Sequence, residues 1–310
     1  MIFLWGHASD SALKAVYESL CRLGAKIAFY DQRLVLDTEI HLAVGADVAG
    51  TIRVKHELID LAEVSAAYIR PFDSRWLPKI ETAGAGSPEW QHAVRIEDAL
   101  LSWSDVAPAF LINRPAAMAS NTSKPYQAEQ IRAQGFEVPE TLVTTDPEAV
   151  QAFWEKHGDV IYKSVSSARS IVSRLSPEHM SRLNDISWCP TQFQQHVAGN
   201  DYRVHVVGDE IFGCEIRSEA DDYRFALAQQ EHVELRAFDL PEDVAQRCRT
   251  LTTTLGLVVA GIDLRCTADG RWFCFEANAV AGFTYYQEAC NHHIDDAIAY
   301  LLMAGKESLL

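Results

Sequence analysis

The chain has 310 residues, more than one hydrophobic core usually organises, so two or three lobes are expected. Its 27 basic against 43 acidic residues leave a net charge of −16, which opposes binding to a nucleic-acid backbone. With 48% hydrophobic and 23% charged residues the composition is that of an ordinary globular protein, and no apolar run approaches the ~18 residues of a membrane span.

The opening Met1-Ile2-Phe3-Leu4-Trp5 enters a strand pattern with no basic leader, so no signal peptide is expected and a cytoplasmic location is the reading. Seven scattered cysteines form no Cys-x-x-Cys pair, which fits reduced thiols better than zinc. Residues 2–5 and 26–30 read as strands around an amphipathic helix, 11–23, that stops at Gly24. A strand at 66–69 and a helix at 89–106 complete a βαβ pattern, hence a parallel sheet with helical cover. No Gly-x-Gly-x-x-Gly follows the first strand, so a dinucleotide site is not indicated.

A second lobe begins near Arg114. Pro125 and Gly135 bracket a helix with Lys124 at its entrance. Residues 160–165 form a strand carrying Lys163, followed by the hydroxyl-rich loop Ser166-Ser167-Ala168-Arg169-Ser170. A lysine beside such a loop suits a phosphate cradle, although a lysine guarding a strand edge fits the same pattern. Further strands are expected at 191–197, 201–207 and 212–217, then a helix at 241–255. The boundaries read as 1–113, 114–190 and 191–310. Arg203, Arg217 and Arg224 lie near acids; each suits phosphate or carboxylate recognition, and each equally suits a surface ion pair. His7, His292 and His293 lack a third ligand at metal spacing and read as loop histidines.

The most informative segment is the apolar pair of runs around Asp269-Gly270, a hairpin signal. With those two residues as the loop, Ala268 faces Arg271, Asp263 faces Glu276, and Gly261 faces Asn278. Facing carboxylates repel unless one is protonated or a cation lies between them. Alternation puts Asn278 on the face of Glu276, so three hard oxygen ligands converge, as Mg²⁺ prefers. Ile262, Leu264, Phe273 and Phe275 would then form the core face. A solvated, exposed hairpin is the plain alternative. A lysine ammonium filling the gap between the acids would count against the metal.

In order and spacing these features resemble the ATP-grasp ligases, specifically the RimK-like branch that includes graspetide synthetases. The resemblance covers about Asn113 to Gln287. It rests on Lys124 with Gly135-Phe-Glu-Val-Pro139, on Lys163 in Ile-Tyr-Lys-Ser, and on Gln194-Gln195-His-Val197-Ala-Gly-Asn-Asp201-Tyr-Arg203. It continues in Ile216-Arg217-Ser218, Asp222-Tyr-Arg224, Gly261-Ile-Asp263 and Glu276-Ala-Asn278. The resemblance implies an α/β fold of α+β lobes: an N-terminal pre-ATP-grasp domain and two lobes sandwiching ATP. It implies that Lys124, Lys163, Ser167, Arg169, Gln194, Gln195, Val197 and Asp201 bind ATP. Asp263, Glu276 and Asn278 would hold two Mg²⁺ ions, with Mn²⁺ able to substitute, and Arg203, Arg217 and Arg224 would be catalytic. The chain departs from the family in lacking glycines at 166–170 and in carrying Gln195 where the hinge acid usually stands.

The activity implied is ADP-forming carboxylate–amine ligation through an acyl phosphate, on amino acids or a small peptide. Alternatives are a graspetide-type macrocyclase making ester or amide side-chain links, and an ATP-binding regulator without ligase activity. An acidic peptide would need a basic patch from Arg70, Arg75, Lys79, Arg95 or Arg114. No nucleic-acid or membrane partner is expected, and the oligomeric state is open between monomer and homodimer.

Overall fold

The computed structural model of the chain describes residues 1–45, 48–165, 172–218 and 233–305, with backbone only at 121 and 122. The chain begins with β1 (Ile2–Gly6) and β2 (Ile27–Asp31). An antiparallel ribbon of β3 (Thr38–Val44), β4 (Val48–Val54) and β5 (Glu57–Asp60) follows, then β6 (Ala66–Arg70) and β7 (Phe110–Ile112). Strands β2-β1-β6-β7 form the expected parallel sheet. The helix Ser11–Arg22 starts because Asp10 caps it, accepting from the Leu13 N–H at 2.9 Å, and ends where Gly24 takes a positive φ of 72°.

β1 is buried along its whole length because the sheet is covered on both sides. One face packs Phe3, Trp5 and Ile69 against the helix Pro88–Val106 and the three-stranded ribbon. The other packs Leu4, Tyr68 and Ile112 against the helix Ser11–Arg22 and against Ile294, Ile298 and Leu302 of the last helix, Ile294–Ala304. The last helix is therefore part of the first lobe's core, although sequence order puts it in the third.

The central lobe is a four-stranded sheet of β8 (Thr141–Thr144), β9 (Val160–Ser164), β10 (Ser173–Arg174) and β11 (Thr191–Gln195), in the order β10-β9-β11-β8. Its small core is Val150, Val160, Leu175 and Phe193. Strand β11 pairs with β9 and β8, so the boundary expected at 190/191 falls inside this sheet, and the chain leaves the lobe only after Gln195.

The largest sheet is antiparallel, in the order β14-β13-β12-β15-β16. Its strands are β12 (Asn200–Val207), β13 (Glu210–Ser218), β14 (Val233–Ala237), β15 (Val259–Cys266) and β16 (Trp272–Asn278). Tyr202, Val204, Ile262, Leu264 and Cys274 face the helix Glu242–Thr254 and Ile131 of the helix Lys124–Ala133. Alternation turns Asp201, Arg203, Asp263 and Glu276 to the other face.

Candidate active site

The ribbon β15–β16 carries the expected facing pairs Gly261–Asn278 and Asp263–Glu276. It reaches them by a different route from the one the turn signal predicts. Thr267 N–H bonds Arg271 C=O at 3.0 Å, so the loop is the three residues Ala268, Asp269 and Gly270, with Gly270 at φ 82°. The extra loop residue shifts the register by one, pairing Leu264 with Cys274, until a bulge at Phe275 restores it at Glu276. The bulge also corrects the core face: Cys274 packs inside, while the Arg265 guanidinium lies over the Phe275 ring at 5.3 Å.

The two acids are balanced by the chain's own cations. Lys124 Nζ lies 2.5 Å from Glu276 Oε2, and Arg203 Nη1 lies 2.5 Å from Asp263 Oδ1. Between the acids stands the Asn278 amide, whose Nδ2 donates to Glu276 Oε1 at 2.9 Å and approaches Asp263 Oδ2 at 3.5 Å. Burial would push the Glu276 carboxyl up, but the Lys124 ammonium, the Asn278 N–H and the charge of Lys163 hold it at about 2. Lysine and arginine thus neutralise the two carboxylates from their outer oxygens. A lysine does reach the pair, though from the side of Glu276 and not into the gap that Asn278 spans.

Lys124 is delivered by the entrance of its helix, which Gln127 fixes to β16: its Nε2 donates to Ala277 C=O at 2.9 Å and its Oε1 accepts from Ala277 N–H at 3.1 Å. Lys163 comes from β9 across the cleft between the two lobes, close enough for its charge to reach Glu276.

The hinge residues carry contacts within the chain. Gln194 is buried and donates to Thr141 Oγ1 at 2.9 Å, which makes it a strut between β11 and β8. Gln195 ends β11, its N–H on Glu140 C=O at 2.9 Å. Arg265 takes both Asp201 oxygens at 2.7 and 2.8 Å and the Val197 carbonyl at 2.7 Å. Asp201 and the Val197 carbonyl are therefore joined to each other by an arginine.

Arg217 departs furthest. It pairs with Glu215 at 3.0 Å, and alternation from the Arg203–Cys214 pair places both on the sheet face of Tyr202, away from Asp263. Ser167, Arg169 and Arg224 lie outside the described residues. Three of the five residues that could form a basic patch are engaged locally. Arg70 and Arg75 pair with Asp10 and Asp73, and Arg114 spends its donors on four backbone carbonyls between Ser104 and Ala109.

Four further residues build the site. Arg265 was legible, since it stands two residues beyond Asp263 on the same face. Gln127 follows Lys124 at helical spacing. His205, fully buried, donates toward Gly282 C=O at 3.2 Å, with burial and then the nearby Arg203 charge pushing its pKa well below the usual imidazole range. Asn113 is bonded at all four amide positions: to Val259 C=O and Ala279 C=O at 2.7 and 2.8 Å, and from Val258 and Val259 N–H at 2.8 and 3.2 Å. Nothing in the sequence points to these last two.

The residue types suit a hard divalent cation: two carboxylates on one ribbon, Glu276 ionised throughout the neutral range, and an amide that would offer its oxygen on turning its N–H away from the acids. The surrounding lysines and arginine suit phosphate oxygens.

The model of the RimK-like ATP-grasp domain matches residues 122–302. Human N-acetylaspartylglutamate synthase A is 25% identical over 205 residues, 63% of this chain and 52% of that protein. Human beta-citrylglutamate synthase B is 27% identical over 211 residues, 63% of this chain and 54% of that protein. The chain spans about half the length of these curated relatives. Among solved structures, the ATP-grasp ligase PsnB, complexed with a phosphomimetic variant of its minimal precursor, Mg and ADP, superposes with a TM-score of 0.81 at 25% identity. That match covers 98% of this chain and 97% of PsnB. The macrocyclase MdnC of Microcystis aeruginosa MRC, bound with precursor peptide MdnA, shares the fold at a TM-score of 0.82 and 23% identity, over 97% and 99% of the chains.

Proposed function

The chain belongs to the RimK-like ATP-grasp family, and from that premise we propose that it is an ADP-forming carboxylate–amine ligase. The observation that carries the proposal is the convergence of Lys124, Lys163 and Arg203 on Asp263, Glu276 and Asn278 in the cleft between the central and largest sheets. Mg²⁺ held by these two acids and the amide would neutralise charge on the β- and γ-phosphates of ATP. Lys124, exchanging Glu276 for phosphate, and Lys163 hold the phosphate chain. Arg203 acts through Asp263, keeping its carboxylate aimed. The substrate carboxylate attacks the γ-phosphorus, the bond to the β-bridging oxygen breaks, and ADP leaves. The amine then attacks the acyl carbon and inorganic phosphate departs. Positioning and charge neutralisation do the work, without a covalent enzyme intermediate.

Asp263→Asn tests this. The variant should bind ATP yet release no ADP with any member of a panel of amino acids and peptides. Full ADP-forming turnover in it would refute the metal assignment. Nucleotide binding by the wild type without ADP formation across the same panel would favour an ATP-binding regulator.

A peptide substrate is supported by the likeness to PsnB, which was solved with a phosphomimetic variant of its minimal precursor and superposes over 98% of the chain, N-terminal lobe included. ADP release with single amino acids alone would count against it.

A further inference from the structure

The N-terminal parallel sheet has the order β2-β1-β6-β7, so its connections part to opposite sides between β1 and β6. In open parallel sheets the crevice beyond the carboxyl ends of such strands is where ligands sit. Here it is a cleft of about 440 Å³. Its floor is the Asp10–Arg70 pair, its walls are Phe72, Trp76 and His7, and its rim includes Val280. The loop bearing Phe72 is pinned by the buried Gln32, whose Oε1 accepts from Phe72 N–H and whose Nε2 donates to Phe72 C=O, both at 2.7 Å. A loop fixed this firmly nevertheless leaves Phe72 and Trp76 exposed. Val280 follows Asn278 by two residues, and two residues of chain span at most about 7 Å, so the cleft opens next to the metal ribbon.

Crevices of this kind ordinarily take anions, because a helix N-terminus points into them. In this chain that seat is filled. The Asp10 carboxylate caps the helix and also accepts from Arg70 Nε at 3.0 Å with both oxygens. Arg70 Nη1 donates to Ala281 C=O at 3.0 Å. Within the pair the acid is the more accessible, its side chain 27% exposed against 9% for the arginine. An entering group therefore meets a carboxylate and two aromatic rings, a setting for a cation.

We propose that this cleft seats the amine-bearing part of the acceptor substrate, an alkyl- or arylalkylammonium group lying against Phe72 and Trp76 and facing Asp10. The assignment deepens the ligase reading and rests on it for the word acceptor, while the binding itself is testable without ATP. Phenethylamine, 2-phenylethanol and phenylacetate share one shape and differ in charge. Titrated calorimetrically into the full chain, the amine should bind at least about tenfold more tightly than the other two, the size of one favourable cation–π contact plus partial ion pairing. Val280→Trp, which narrows the mouth at an exposed position, should abolish that binding, and Phe72→Ala should weaken it. Both variants should bind ATP as the wild type does. Equal or tighter binding of phenylacetate, no saturable amine binding, or amine binding untouched by Val280→Trp would overturn the proposal. If ADP never forms with any substrate while the amine still binds, the ligase reading fails and the cleft assignment stands as an amine site.

Discussion

At the scale of single residues the site is a set of exchangeable ion pairs. Lys124 at 2.5 Å from Glu276 occupies an oxygen that a metal would need, so the ammonium and the ion compete for it. Lys124→Met should therefore bind Mn²⁺ more tightly than the wild type without nucleotide, by roughly tenfold, and bind ATP more weakly by a similar factor. Electron paramagnetic resonance of free Mn²⁺ checks the first and calorimetry the second. Glu276 also makes folding pH-dependent in the metal-free protein. Its folded pKa, about 2, lies below the ordinary 4.5, so its contribution is complete above about pH 5 and disappears as the pH falls toward 2. Denaturant midpoints of Glu276→Gln should fall less steeply than those of the wild type across that window.

At the scale of elements, the ribbon β15–β16 aims the acids through close backbone contact as well as register. A Cβ on Gly261 would collide with Arg203 Nη2 and the Ala281 side chain, so only glycine lets the guanidinium cross the strand to Asp263. Gly261→Ala should leave the circular dichroism spectrum intact and reduce ADP release by about 100-fold, the loss expected when site groups shift by about 1 Å. Next to it, buried His205 tethers Gly282 and stays neutral. A base whose folded pKa is depressed contributes stability above its ordinary value of 6.5 and loses it as the pH drops below. Unfolding midpoints of the wild type should thus begin to fall from pH 6.5, and those of His205→Phe should fall less steeply there, the remainder coming from His292, which burial also holds below the usual imidazole range.

At the scale of the whole molecule, the first and third lobes are one packed body. The last helix shares a core with β1, β6 and β7, and Asn113 stitches the end of β7 to β15 and to the loop after β16. Asn113→Ala would strand two carbonyls and two N–H groups away from water. A loss of about 3 kcal/mol is expected, read from urea unfolding, and Asn113→Asp should not rescue it because a carboxylate cannot donate to Val259 and Ala279. The two variants should lower the stability of both lobes together, in a single transition.

The sequence by itself determined the elements and the facing of Asp263 and Glu276, because apolar periodicity, caps and an Asp-Gly turn are local properties of the chain. Even there the register was right through two cancelling departures, a longer loop and the bulge at Phe275, neither of which has a strong local signal. The tertiary structure alone decided which charges meet. Lys124 reaches Glu276 across 152 positions of sequence, Arg203 reaches Asp263 across 60, and Arg265 closes on Asp201 across 64. Whether an arginine serves a substrate or a neighbouring acid depends on which strand face it shares and what lies within about 3 Å, and those relations exist only after the sheets have paired.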